Sequence, residues 1–256
     1  MNNILLNTFN RISFLIKNKI IILKNGKIYI KNKEFFYNEL ELEYLNQIKN
    51  IISSGKNWKK VIEKKLKEKN PWLCDIVLNN KRSKFLEFLD IRSEDVILDI
   101  GAGWGQFTIP IAKKNKVCAI DSNVNKIEII KKIAIQERIN KNIFFMGCDY
   151  LDTTFFTKFN FVLCIGVLEW VGVFRKNDDP HDVQMSFLKK IKNNLKKNGK
   201  LVIGIENRIG LKYLMGSEDD HTGEKNISYF NLHKSRLIYK NKFKNEINFE
   251  RLGLLY

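Results

Sequence analysis

The sequence predicts an α/β fold: a doubly wound, mostly parallel sheet with a small N-terminal α+β accessory region. Three observations predict it. Five short apolar runs rich in β-branched residues, at 96–100, 117–120, 143–146, 161–165 and 201–205, alternate with amphipathic stretches at 106–114, 125–139 and 183–196. The runs are continuously apolar, which suits strands buried on both faces of a parallel sheet. The chain has 256 residues, of which 44% are apolar and 12% aromatic. That suffices for one large core with an appendage and excludes a disordered or fibrous chain.

The elements follow in order. Near the N-terminus Asn7, Asn10, Arg11, Lys17, Asn18 and Lys19 interrupt the apolar residues. No stretch reaches the ~18–20 apolar residues of a membrane span, and no signal-peptide layout is visible. Residues 20–23 and 27–30 flank Lys24-Asn25-Gly26, a hairpin signal, because Asn and Gly tolerate positive φ. Leu40, Tyr44, Leu45, Ile48, Ile51 and Ile52 recur at helical spacing, and Ser53-Ser54-Gly55 ends that helix. Val61, Ile62 and Leu66 mark another. Asn70-Pro71 is a break, since the residue before proline avoids the α region, and 72–89 reads as one further helix. We expect an accessory region over 1–70 and the main domain over 71–256. No internal repeat is apparent.

Lys and Arg number 45 against 28 Asp and Glu, a net charge of +17. Most of the cations are Lys, amid abundant Asn and Ile, which reads as a compositional habit spread along the chain. A nucleic-acid site concentrates Arg on one face, so a nucleic-acid partner is disfavoured. The densest cluster, 59–69, reads as the solvated face of a helix; the functional alternative is an anionic partner, whether RNA, a lipid surface or a phosphorylated glycan carrier. Cys74, Cys118, Cys148 and Cys164 form no C-x-x-C pair. The last three sit in apolar runs and read as buried reduced thiols in a cytoplasmic protein, with no zinc cluster.

The informative segment is Val96-Ile-Leu-Asp99-Ile-Gly101-Ala102-Gly103-Trp104-Gly105. A buried strand runs into three alternating glycines, which permit positive φ and let backbone approach a ligand without a Cβ. Alone, the loop equally suits a tight strand–helix turn. The second strand ends at Asp121, twenty residues after Gly101, a spacing that suits a carboxylate accepting both hydroxyls of a ribose. The third leads to Gly147-Cys148-Asp149, where Asp149 can accept from an exocyclic adenine amine. Each acid taken singly reads as a surface loop residue. Acids and glycines at three consecutive strand ends point to one nucleoside.

In these residues the sequence resembles the class I S-adenosylmethionine-dependent methyltransferases, whose Rossmann-like fold it would share. The segment from Asp99 to Gly105 has the G-x-G-x-G spacing of that family's first motif, not the dinucleotide G-x-G-x-x-G. The resemblance covers about residues 72–207. It implies S-adenosylmethionine as cofactor, with Asp99, Gly101 and Gly103 at its methionine moiety, Asp121 at the ribose and Asp149 at the adenine. Ala102, Gly105, Ser122 and Cys148 complete the expected contacts. Phe161 to Trp170 matches the fourth-strand motif, so Ile165 and Gly166 would line the cofactor and Glu169 would face the acceptor. A narrower resemblance, in Asn70-Pro-Trp-Leu73, Gly166-Val-Leu-Glu-Trp170, Ile205-Glu206-Asn-Arg208-Ile-Gly-Leu-Lys-Tyr213 and Glu218-Asp-Asp-His221-Thr-Gly223, is to bacterial methyltransferases associated with surface-polysaccharide glycosyltransferases. It implies a glycan or small-molecule acceptor.

A sugar hydroxyl is a poor nucleophile and gains from a general base. The catalytic candidates are Glu169, Glu206 and His221, with His181 equally readable as a helix-start residue. His221 stands among Glu218, Asp219 and Asp220, in a loop that reads equally as a solvated turn. Arg208 suits an anionic acceptor group or a structural ion pair. No N/D-P-P-Y/F box follows the fourth strand, which argues against methylation of base amines, and no metal site is expected. The family fold places a helix and a hairpin after the fifth strand, so the C-terminus is expected to be short. The alternatives are an RNA methyltransferase, a non-catalytic cofactor-binding partner and, disfavoured by glycine spacing and Asp99, a nicotinamide oxidoreductase. The sequence sets no oligomeric state.

Overall fold

The computed structural model describes the backbone of residues 3–6, 13–16, 21–24 and 27–30, together with residues 40–171, 180–205, 210–218 and 225. The strands are β1 (Asn3–Leu6), β2 (Ser13–Ile16), β3 (Ile21–Lys24), β4 (Lys27–Ile30), β5 (Val96–Ile100), β6 (Lys116–Asp121), β7 (Ile143–Gly147), β8 (Thr153–Phe155), β9 (Phe159–Ile165) and β10 (Leu195–Gly204). The α-helices are α1 (Leu42–Ser53), α2 (Trp58–Lys69), α3 (Pro71–Leu78), α4 (Thr108–Ala112), α5 (Val124–Gln136), α6 (Pro180–Asn194) and α7 (Leu211–Leu214). They fall into two compact units, residues 1–163 with 193–202 and residues 164–192 with 203–256.

The main sheet has the order β10-β9-β5-β6-β7-β4-β3. β5 and β6, β6 and β7, and β7 and β4 pair in parallel. Every residue of β5 and β7 is buried, as continuous apolar runs require. Helix α5 packs on β6 and β7 and in turn carries α1; its Ile127, Ile130, Ile133 and Ala134 are wholly buried at helical spacing. The fold is the Rossmann-like α/β arrangement the sequence predicts.

The two N-terminal strands pair antiparallel as expected, with Lys24 opposite Lys27, and Asn25-Gly26 lies outside the described residues. A second, three-stranded sheet in the order β1-β2-β8 was not foreseen. Its strands hold only three or four residues each, too few to show a period. The helical breaks stand where Gly and Pro put them. Gly55 has φ +86 after α1. Asn70 ends α2 and caps α3, accepting from Leu73 N at 2.9 Å with Pro71 in the first turn.

Three expectations need correction. Residues 72–89 are not one helix: α3 stops at Leu78, where the Asn79 side chain accepts from Lys81 N at 3.0 Å and starts a 3₁₀ stretch, Asn80–Phe88. An Asn side chain that bonds its own backbone competes with the α ladder. Helix α4 is five residues long, because the turn that follows the glycines runs through Phe107 and the helix ends at Ala112, short of the expected 106–114 span. Strand β10 begins at Leu195, earlier than 201, and comes so close to β9 that a Cβ on Gly199 would lie 2.9 Å from the Phe159 carbonyl oxygen.

Candidate cofactor site

The strand order reverses beside β5, with β6 and β7 on one side and β9 and β10 on the other. Open parallel sheets bind ligands beyond the carboxyl ends of their strands at such a reversal. The exits of β5, β6 and β7 all belong to the first unit.

Leaving β5, the backbone N–H groups of Gly101 and Ala102 donate to the Ile120 carbonyl at 2.8 and 3.1 Å, folding the loop over the tip of β6. Gly101, Gly103 and Gly105 have φ of +69, +53 and +85. Three left-handed residues at alternate positions explain the G-x-G-x-G pattern. Gly105 is constrained a second time, since a Cβ there would lie 3.1 Å from Ile109 Cγ1 and 3.3 Å from Ile130 Cγ1.

Leaving β6, Asp121 is clamped by its carboxylate. Oδ2 accepts from Gly103 N at 2.8 Å and Oδ1 from Asn123 N at 2.7 Å. Asn123 in turn caps α5 by accepting from Asn125 N and Lys126 N, and half-buried Ser122 lies between the two. The strand register sets Gly147 of β7 opposite Asp121. Cys148, 2% exposed, donates its N–H to the Asp121 carbonyl at 2.9 Å, and Asp149 Oδ1 accepts from Leu151 N at 2.9 Å.

Asp99 stands differently. It is 2% exposed, and Thr108 Oγ1 donates to its Oδ2 at 2.5 Å, tying the end of β5 to the first residue of α4. Burial pushes its carboxyl up to about 7, assisted by the nearby charge of Asp121 and opposed by the Thr108 hydrogen bonds. Trp104, between the second and third glycines, is 3% exposed and its Nε1–H has no hydrogen-bond partner. Trp104, Thr108 and Asn123 had no expected role. Only Asn123, a capping residue two places after a strand-end acid, carried a readable signal.

In the second unit, Gly166 has φ +67 and donates its N–H to the Gly204 carbonyl at 2.8 Å. A Cβ on Gly204 would lie 2.7 Å from Ile165 Cγ2. Glu169, in the 3₁₀ turn Leu168–Trp170, is 8% exposed and its Oε2 has no partner. Burial raises its pKa. Gln184 Nε2 donates to the Leu168 carbonyl and ties this turn to α6. His181 falls in the first turn of α6, whereas Glu206, Arg208 and His221 lie outside the described residues. Among the described residues no group of three or more His, Cys, Asp or Glu could hold a metal ion. All four cysteines are buried and none forms a disulfide, and among the described residues no helix is long and apolar enough to cross a membrane.

As a donor–acceptor set, the first unit offers clamped and capping carboxylates for hydroxyl and amine donors, glycine backbone for close approach, and one buried unpaired N–H. Those groups fit an adenosine carrying an amino-acid tail.

Comparison with known proteins agrees with that chemistry. A methyltransferase-domain family profile matches residues 91–249. A probable ribosomal RNA small subunit methyltransferase A of Methanosphaera stadtmanae is 38% identical over 81 residues, 31% of this chain and 30% of that protein. The chain thus spans under a third of that curated relative's length. Among solved structures, YjhP of Escherichia coli gives a TM-score of 0.41 at 18% identity, covering 61% of this chain and 55% of that one. A putative O-methyltransferase of Nostoc punctiforme PCC 73102 gives 0.42 at 18% identity, covering 66% and 52%. PKMT2 of Rickettsia typhi, in complex with AdoHcy, gives 0.40 at 20% identity, covering 64% and 28%. On the family match, which takes in more than half of its residues, the chain belongs to the methyltransferase-domain family, whose cofactor is S-adenosylmethionine.

Proposed function

We propose that this chain transfers the methyl group of S-adenosylmethionine to an oxygen of a small-molecule or glycan acceptor, in surface-polysaccharide biosynthesis, with residues 71–256 as the catalytic domain and 1–70 as an accessory region. One observation carries the cofactor part of the reading. The register of β6 and β7 brings Asp121 and, two residues past Gly147, Asp149 to neighbouring strand ends, with Gly103 bonded to the first of them. In this reading Asp121 accepts the ribose hydroxyls, Asp149 the adenine amine, and the glycine loop with Ala102 and Asp99 lies along the methionine moiety. Ser122, Cys148, Ile165 and Gly166 complete the contacts.

The bound cofactor supplies an electrophilic methyl on a sulfonium, so the protein has mainly to align an acceptor oxygen with it. Glu169 is the residue we assign to the acceptor side. Its unpartnered Oε2 can take the hydroxyl proton as the new O–C bond forms, and a carboxylate weakened as an acid by burial is a stronger base. Glu206 and His221 remain candidates for the same duty.

Titration with S-adenosylhomocysteine and with NAD tests the cofactor. We expect binding of the first only, abolished in Asp121→Ala and preserved in Glu169→Gln. Binding of NAD alone, or unchanged affinity in Asp121→Ala, overturns the assignment. Labelled methyl donor offered to glycan intermediates and to total RNA then tests the acceptor, with Glu169→Gln lowering turnover about 10²-fold or more. A second reading, RNA methylation, is favoured by the 38% identity to a ribosomal RNA methyltransferase over 81 residues. It is opposed by Gly166-Val-Leu-Glu-Trp170 standing where base-amine methyltransferases carry an N/D-P-P-Y/F box. Label entering RNA alone would reverse the order.

A further inference from the structure

Positive charge is less evenly spread than composition suggests. Residues 56–84 hold ten Lys and Arg against three Asp and Glu, so +7 of the molecule's +17 falls in 29 residues. Part of it lies on α2, whose Trp58, Val61, Ile62 and Leu66 are buried while Lys59, Lys60, Lys64 and Lys67 are exposed. The 3₁₀ helix Asn80–Phe88 carries Lys81, Arg82 and Lys84, with Glu87 near its end.

That 3₁₀ helix is unusual in three respects. It runs nine residues, where such helices rarely exceed three or four, and none of its residues is buried. Residues three apart share a row on a 3₁₀ helix, which sets Arg82, Phe85 and Phe88 along one line and Lys81, Lys84 and Glu87 along the next. Phe85 anchors the helix by an edge-to-face contact with Phe107, centroids 5.5 Å apart, beside the glycine loop. Phe88, at the far end of the same row, is 86% exposed. Among the described residues neither Lys81, Arg82 nor Lys84 forms an ion pair.

We propose that Asn80–Phe88 docks this protein on an anionic lipid surface, with Phe88 entering the interface and Lys81, Arg82 and Lys84 meeting the phosphates of the headgroups. A protruding apolar ring on an element whose three cations outnumber its one acid, Glu87, is the chemistry of a peripheral membrane contact. The composition favours a bilayer over single-stranded RNA. Nine of the ten cations in 56–84 are Lys, point charges suited to a diffuse charged plane, where RNA recognition favours the Arg fork. Beside Phe88 stand Leu86, Glu87 and Leu89, which offer no donor to the edge of a stacked base. One short element with a few cations gives weak, reversible attachment that depends on anionic lipid. The docking stands whatever the methyl acceptor.

Flotation of the full chain with vesicles of phosphatidylcholine mixed with phosphatidylglycerol or of phosphatidylcholine alone, and fluorescence anisotropy of labelled single-stranded oligouridylate, test it. We expect flotation with the mixed vesicles only, lost in high salt. Phe88→Ser, and Lys81→Glu with Lys84→Glu, should each weaken it roughly tenfold or more without changing Tm or S-adenosylhomocysteine affinity. In Phe88→Trp, brominated lipid should quench more emission than in the parent chain. Equal binding to neutral vesicles, no binding to mixed vesicles, binding to oligouridylate instead, or full binding by both variants would each overturn the proposal. Unchanged cofactor affinity keeps such a failure distinct from failure of the methyltransferase reading.

Discussion

At the scale of single residues, Asp99 is where burial and charge conflict most. Its carboxyl is 2% exposed and titrates near about 7, while an unfolded aspartate titrates near about 4. Between those values the unfolded chain has released a proton that the folded chain keeps, so stability falls as pH rises. The contribution is whole below the ordinary carboxylate range and is lost as pH passes through the folded value. About three pKa steps at roughly 1.4 kcal/mol each put the loss on the order of 4 kcal/mol at most. An asparagine in its place would be neutral at every pH and could still accept from Thr108. We therefore expect Asp99→Asn to gain stability over the parent between about pH 4 and about pH 8 in urea unfolding. Parallel pH profiles for the two chains would refute this. Neighbouring Asp121 is only half-buried, and a backbone N–H reaches each of its oxygens.

At the scale of elements, one side chain fastens two helices to a third. Gln136 at the end of α5 donates to the carbonyls of Ile52 and Lys56 at 3.0 and 2.8 Å and accepts from Trp58 N at 3.1 Å. Trp58 Nε1 adds a 2.7 Å bond to Glu137. The partly exposed Lys49–Glu128 pair, 3.5 Å apart, adds little beside these. Gln136→Ala should cost about 1–3 kcal/mol and speed amide exchange in α1 and α2, with S-adenosylhomocysteine affinity unchanged; an unaltered unfolding midpoint would count against it. None of this was readable in the sequence, since Gln136 has no pattern of its own and its partners lie some eighty residues away. Legibility followed from how local the cause was. The five core strands and the Asn70-Pro71 break were legible because burial on both faces and a proline ring act on the residues that carry them. The glycine alternation and Asp121 were legible for the same reason. By contrast, β1, β2 and β8 were not, because β2 meets β8 only through a register joining Phe14 to Phe155. The hydrogen bond that engages Asp99 was hidden too, since Thr108 faces it only once the loop has turned.

At the scale of the molecule, the N-terminal strands extend the sheet. Without β4, β7 would be the sheet's edge on that side, with Ile143, Phe144, Phe145 and Met146 buried along it and a row of unpaired N–H and C=O groups exposed. The pairs Ile28–Met146 and Tyr29–Gly147 close that edge immediately before Cys148 and Asp149. Two consequences follow for a chain lacking residues 1–30. The open edge becomes a template for pairing with other copies, so light scattering should rise on heating well below the unfolding temperature of the full chain. The backbone that presents Asp149 loses its lateral support, so S-adenosylhomocysteine affinity should fall severalfold. A chain lacking only 1–17 removes β1 and β2 and exposes the three-residue β8 instead, an edge too short to template assembly. It should therefore stay dispersed and bind the nucleoside as the full chain does. Equal behaviour of the two truncations would mean that the β4–β7 pairing contributes nothing to the edge or to the site.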